Sequence, residues 1–100
     1  MTAFELTRAA KKDLRGIALF TEKRWNRNQR YLYMKQFHDV FDFLAENPFA
    51  GKSCDSIKKG YRKFPQASHI VFYRDGTNSK ITIIRILHKS MDVEAQLYDT

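Results

Sequence analysis

Several residue types are scarce in this chain. Its 100 residues hold one cysteine, two prolines and four glycines. A lone cysteine, Cys54, can close no internal disulfide and build no multi-cysteine zinc site, which points to a reducing compartment. The linkers that can be drawn, Asn47–Ser53 and Asp75–Ser79, are short, and no internal repeat or low-complexity tract interrupts the chain. Acidic residues are outnumbered: 11 Asp and Glu stand against 18 Lys and Arg, a formal charge of +7. That excess favours anionic partners such as nucleic acid, an acidic protein or a nucleic-acid machine, although a soluble domain can be cationic without using it. No apolar run approaches the roughly 18 residues of a membrane span. Glu5 and Arg8 interrupt the N-terminal stretch too early for a signal peptide. The expectation is one cytoplasmic domain covering residues 1–100, with neither a membrane nor a small-molecule substrate among its partners.

What is present is core material. The chain is 43% hydrophobic and 14% aromatic, too much for a disordered segment. Phe4 to Thr7 alternates apolar and polar, which predicts a short first strand with Thr7 able to cap a following helix. Ala10, Leu14, Ile17, Ala18 and Thr21 then recur at helical spacing, a first helix over roughly residues 8–25 that Gly16 weakens. Asn26-Arg27-Asn28 breaks it with capping chemistry. Tyr33, Phe37, Val40, Phe41 and Leu44 mark a second helix, ended by Asn47-Pro48. A break this short predicts an antiparallel helical hairpin with an apolar inner stripe.

Three strands follow: Tyr61–Gln66, His69–Arg74 and Lys80–His88, the last two joined by the turn residues Asp75 to Ser79. Val93 to Thr100 reads either as a turn of helix or as a tail. The expected fold is α+β in the order β-α-α-β-β-β, an N-terminal strand and a helical hairpin packed on one face of a small antiparallel sheet. The other face is expected to stay partly open as a basic concavity carrying Arg62, Lys63, Arg74 and Arg85.

This order, with these residues, resembles the RelE/ParE superfamily of toxins from bacterial type II toxin–antitoxin modules, and its ParE branch more closely. The resemblance rests on Trp25 and Gln29 at the helical break, Tyr33 and Phe37, Asn47-Pro48 with Gly51, and Tyr61-Arg62. Above all it rests on His69-Ile70-Val71-Phe72-Tyr73-Arg74 followed by Ile84-Arg85-Ile86-Leu87-His88, with Met91-Asp92 after it. It covers nearly the whole chain. The resemblance implies a protein that traps DNA gyrase on cleaved DNA and is neutralised by a ParD-like antitoxin, which wraps it with an extended segment and a helix. RelE-like relatives instead cut mRNA in the ribosome, and a shared fold does not choose between the two.

Such a nuclease needs proton-transfer groups and cations around the scissile phosphate. Here Ile70 stands where such enzymes often carry an arginine, Lys89 rather than tyrosine follows His88, and Tyr98 and Asp55 are the other groups within view. If the chain were a nuclease, its residues would be His88, Arg85 and Lys63. The set lacks a coherent acid–base pair, so the expectation is a binding protein, not an enzyme. His88 itself reads either as a half-buried strand end bonded to nearby backbone or as a contact to gyrase or DNA.

Expected gyrase or DNA contacts are Arg24, Arg27, Arg30 and Lys89, though the same cations suit a solvated end of the first helix. Expected antitoxin contacts are Tyr33, Phe37, Phe41, Arg62 and Arg74. Trp25 reads as a plug closing the hairpin, and Cys54 as an unreactive loop residue. His38, His69 and His88 show no metal-ligand spacing, and no cofactor or metal is expected. A reading from another class is a plain nucleic-acid-binding domain that stacks bases on Tyr61, Phe72 and Tyr73.

Overall fold

A computed structural model describes residues 3–98 of the chain. Strand β1 (Phe4–Leu6) leads into helix α1 (Arg8–Arg24) and helix α2 (Arg27–Glu46). Then come the short β2 (Lys52–Ser53), β3 (Arg62–Gln66), β4 (His69–Asp75), β5 (Ile81–His88) and α3 (Val93–Tyr98). The five strands form one sheet in the order β1-β5-β4-β3-β2.

Local chemistry sets the helix ends. The Thr7 hydroxyl oxygen accepts from the Ala10 N–H at 3.0 Å and donates to the Ile84 carbonyl at 2.7 Å, so one side chain caps α1 and fastens it to β5. Asn26 does the same local work for α2, its Oδ1 accepting from the Gln29 N–H at 2.7 Å. Two residues therefore suffice to turn the chain. Gly16 lies mid-helix in α1, where it costs about 1 kcal/mol relative to alanine.

The α+β hairpin-on-sheet architecture is as expected, with two differences. The sheet is mixed: β1 runs parallel to β5, while every other pairing is antiparallel. β1 leaves the sheet through a helix rather than a tight hairpin, so no local turn dictates its direction. The fifth strand, β2, is two residues long and pairs with β3 at the edge; so short a segment has no periodicity to read.

The larger core lies between hairpin and sheet and is built on Phe37, Phe41, Leu44, Val71, Tyr73, Ile81, Ile83 and Ile86. A second core occupies the opposite face: Cys54, Tyr61, Phe72, Ile84, Leu87 and Leu97, flanked by Ile57, Ile70 and Val93. The centre of the expected open basic face is therefore covered, by the Cys54–Tyr61 turns and by α3. A bulge divides β5 between the two cores. Tyr73 stands opposite Ile83 and Phe72 opposite Arg85, leaving Ile84 as the extra residue of β5. Ile83 and Ile86 thus serve one core, Ile84 and Leu87 the other.

Candidate functional site

The hairpin and sheet leave a groove of about 840 Å³ along one flank of the molecule. One wall is the α1 stripe Ala9, Lys12, Asp13, Gly16, Ile17, Phe20 and Thr21. Trp25, Gln29 and Tyr33 close the end at the helical break. The facing wall is Ala67 to His69 with Arg85, Ile86, His88 and Met91. Its apolar lining reaches solvent: Phe20 is 68% exposed, Trp25 64% and Met91 49%. Large exposed apolar side chains gathered in one concavity mark a binding surface.

Trp25 is thus not the expected plug. The Asn26 cap and the Glu22 carboxylate, which meets Arg30 at 3.3 Å and Arg27 at 3.8 Å, close the hairpin tip without it. The indole lies outside, with the Arg24 guanidinium 5.0 Å from its ring. Arg24 thus sits beside groove-lining Trp25, while Arg27 and Arg30 flank the helical break, both paired with Glu22. Lys89, also exposed, follows groove-lining His88.

The floor holds a histidine pair. His69 and His88 are direct cross-strand partners, with ring centroids 5.3 Å apart at 86°. The Tyr33 hydroxyl lies 3.1 Å from His69 Nδ1. His88 Nδ1 accepts from the Ser90 N–H at 3.1 Å and lies 2.7 Å from the Ser90 hydroxyl. That bond needs a bare Nδ1, which leaves the proton of a neutral His88 on Nε2. Of its two sequence readings, His88 has the geometry of the half-buried strand end bonded to nearby backbone, and it also faces the groove.

Burial, and then charge on His88, hold His69 below the usual histidine range, partly opposed by Asp13. The unfolded chain therefore binds this proton more readily than the folded one. The associated stability is fully present above the unfolded pKa of about 6.5 and is lost as pH falls below it toward the lower folded value. Unfolding free energy measured by denaturant titration is expected to decline below about pH 6.5, and His69→Gln to flatten that decline. A variant with the same slope as the parent would place the proton uptake elsewhere.

The structure does not assemble the nuclease set. Arg85 is held by Asp13, Nε to Oδ2 at 2.7 Å and Nη2 to Oδ1 at 3.0 Å. Lys63 pairs in register with Phe72, whose side chain belongs to the far core, and it does not line the groove that His88 lines. Asp55 is occupied locally, its Oδ1 accepting from the Gly60 N–H at 2.8 Å. Nor is there a stacking platform: Tyr61, Phe72 and Tyr73 are all buried.

The expected antitoxin residues also separate. Tyr33 reaches the groove. Phe37 and Phe41 are enclosed in the core and present no surface, because the stripe they share is what the hairpin buries against the sheet. Arg62 and Arg74 line a smaller cavity of about 240 Å³ at another part of the sheet. There Arg62 lies 4.9 Å from the ring of Phe49 and donates to the Gly51 carbonyl at 2.8 Å. Four groove-lining residues that sequence reasoning did not put forward as contacts are Phe20, Met91, His69 and Gly16. A signal existed for Phe20, an apolar residue out of phase with the buried stripe of α1. Cys54 is buried, which pushes its thiol up and away from reactivity.

Comparison with known proteins places this geometry in a lineage. A family profile described as the ParE toxin of the type II toxin–antitoxin system, parDE, matches residues 4–93. The Toxin ParE1 of Caulobacter vibrioides is 37% identical over 97 residues, spanning 97% of this chain and 99% of that one. The Toxin ParE1 of Mycobacterium tuberculosis is 38% identical over 92 residues, and the Toxin ParE of Escherichia coli 32% over 101 residues. Among solved structures, a chain of the chromosomal ParDE TA system from P. aeruginosa shares the fold. Its TM-score is 0.72 at 20% identity, over 88% of this chain and 96% of that one. Matched by the family profile over nine-tenths of its length and 37% identical to a curated relative along nearly all of it, this chain is a member of the ParE toxin family of type II toxin–antitoxin systems.

Proposed function

We propose that this toxin acts in the cytoplasm by binding DNA gyrase and holding it on cleaved DNA, and that an acidic ParD-like antitoxin neutralises it by covering the groove. The observation that carries this reading is an exposed apolar concavity, Phe20, Trp25 and Met91, with cations near its lining residues in the chain: Arg24 against Trp25, Arg27 and Arg30 around Gln29, and Lys89 after His88. In this reading the surface works by binding. Among the described residues the groove's arginine, Arg85, is committed to Asp13, and the groove's His69 is hydrogen-bonded to Tyr33. A poison of this kind needs no catalysis of its own. It needs affinity for the cleaved state that exceeds affinity for the religated state by a few kcal/mol.

The test is purified gyrase with plasmid DNA. The toxin is expected to inhibit supercoiling and to accumulate linear, protein-linked DNA, and stoichiometric antitoxin to abolish both effects. Replacing Arg24, Arg27 and Arg30 together by serine is expected to weaken the inhibition without unfolding the chain, since all three are peripheral to both cores. Untouched gyrase alongside cleavage of ribosome-bound mRNA would show that the target is the ribosome.

A further inference from the structure

Phe49 is the most exposed large apolar side chain among the described residues, at 78%. Its ring belongs to neither core. The backbone around it is nevertheless held in place. The Ala50 N–H donates to the Asn47 carbonyl at 2.9 Å, the Gly51 N–H to the Tyr73 hydroxyl oxygen at 2.8 Å, and that hydroxyl to the Pro48 carbonyl at 2.8 Å. The Arg62 guanidinium lies 4.9 Å from the ring centre and donates to the Gly51 carbonyl at 2.8 Å. Phe49 and Arg62 line the smaller cavity of about 240 Å³ together with Lys59 and Arg74. Among the described residues none of these three cations is in an ion pair. Two acids share the cavity, Asp55 and Asp75, and the Asp55 carboxylate already accepts the Gly60 N–H. Residues 49–75 hold Lys52, Lys58, Lys59, Arg62, Lys63 and Arg74 against those two acids alone. No residue lines both this cavity and the groove. The groove takes in the β3–β4 turn at Ala67 to His69, and the cavity takes in Arg62 and Tyr73, which pair at the other end of the same two strands.

We infer that this corner binds single-stranded DNA, with a base stacked on Phe49 and backbone phosphates met by Lys59, Arg62 and Arg74. Sequence-tolerant single-strand binding combines a cationic surface that follows the phosphates with an aromatic face on which a base can stack. Both are present here, and the pinned loop presents the ring with little left to order on binding. An acidic protein segment would satisfy the cations alone. The exposed ring beside them favours a nucleotide, which brings a π face with each phosphate. A duplex keeps its bases stacked on one another and has none to offer Phe49. The inference goes beyond the gyrase reading and does not need it, since oligonucleotide binding is a property of the free toxin.

The experiment titrates the free toxin into a fluorescent oligothymidine of about a dozen nucleotides and reads anisotropy over a range of salt. The parent is expected to bind with a log–log salt slope of about −2, three phosphate contacts at roughly 0.7 each on a single strand. Phe49→Ala is expected to weaken binding about ten-fold at unchanged slope. Lys59→Ser combined with Arg74→Ser is expected to flatten the slope to about −0.7. Arg62 stays in place because it also holds the Gly51 carbonyl. Phe49, Lys59 and Arg74 are all exposed, so the variants are expected to melt with the parent. Equal affinity for a duplex would show charge acting without stacking, and tighter binding of an RNA of the same length would make this an RNA site; either result overturns the inference. So would a parent that binds no oligonucleotide, or a loss seen only when Arg24, Arg27 and Arg30 are replaced together, which would move the contact to the helical break. A corner variant that keeps the oligonucleotide but loses the purified antitoxin would assign the surface to an acidic protein instead. Gyrase inhibition is scored separately: if it fails while the oligonucleotide binds, only the gyrase reading falls.

Discussion

Asp13→Ala is expected to destabilise the free toxin by about 3 kcal/mol, the usual result of stranding one partner of a largely buried ion pair. The Asp13 and Arg85 side chains are 15% and 16% exposed, so neither charge can be fully rehydrated in place. The carboxylate has a second task. β1 covers β5 only along Ile81–Ile83. Beyond that point Thr7 takes over, donating from its backbone to the Ile83 carbonyl and from its hydroxyl to that of Ile84. Asp13 Oδ2 then accepts the Ile86 N–H at 3.0 Å. Side chains from the start of α1 therefore finish a sheet edge that β1 is too short to finish. Loss of the carboxylate leaves a guanidinium without its counter-ion and a strand N–H without its acceptor. For a domain of this size the thermal midpoint is expected to fall by on the order of 15 °C. In the double variant Asp13→Ala with Arg85→Met much of that loss should return, since a pair removed whole costs far less than a pair broken. A single variant that melts within a few degrees of the parent would mean that the bridge is structurally idle.

Gly51→Ala is expected to be about as damaging, on the order of 3 kcal/mol, through overpacking. The Gly51 N–H donates to the Tyr73 hydroxyl oxygen at 2.8 Å, and that hydroxyl donates to the Pro48 carbonyl at 2.8 Å. Tyr73 is thus a buried post that pins the loop after α2 to the sheet. An alanine methyl at position 51 would meet the Tyr73 hydroxyl, lie 2.6 Å from Tyr73 Cε1 and stand 2.9 Å from the Lys63 carbonyl oxygen. Two of those three obstacles are not the hydroxyl. Tyr73→Phe alone should cost roughly 1–3 kcal/mol by orphaning the Gly51 N–H, and it should fail to rescue Gly51→Ala. Urea unfolding of the two single variants and the double variant decides the matter, and full rescue by phenylalanine would mean that the hydroxyl alone set the fit.

The sequence by itself determined the hairpin, the three principal strands and the family. Helical spacing from Ala10 to Thr21 and from Tyr33 to Leu44, cap chemistry at Thr7 and Asn26, and a strong turn after Asp75 are local signals, and local signals survive in a string. The tertiary structure decided what each surface faces. Ile83-Ile84-Arg85-Ile86-Leu87 reads as a strand of unknown polarity until the bulge opposite Phe72 and Tyr73 assigns alternate residues to two cores. Leu97 and the Cys54–Tyr61 turns cover the centre of the far side, and the cations expected on one open face are divided, Arg62 and Arg74 lining the smaller cavity and Arg85 the groove. Trp25 carries the bulk of a core residue, yet it lies outside because a two-residue turn with its own caps encloses no interior. Phe37 and Phe41 fall inside for the converse reason, since the apolar stripe of α2 is the surface that the sheet covers. The groove joins α1 to the ends of β4 and β5, elements some 70 residues apart in the case of Asp13 and Arg85. Periodicity records which residues share a face of one element, and it carries no information about which distant element that face will meet.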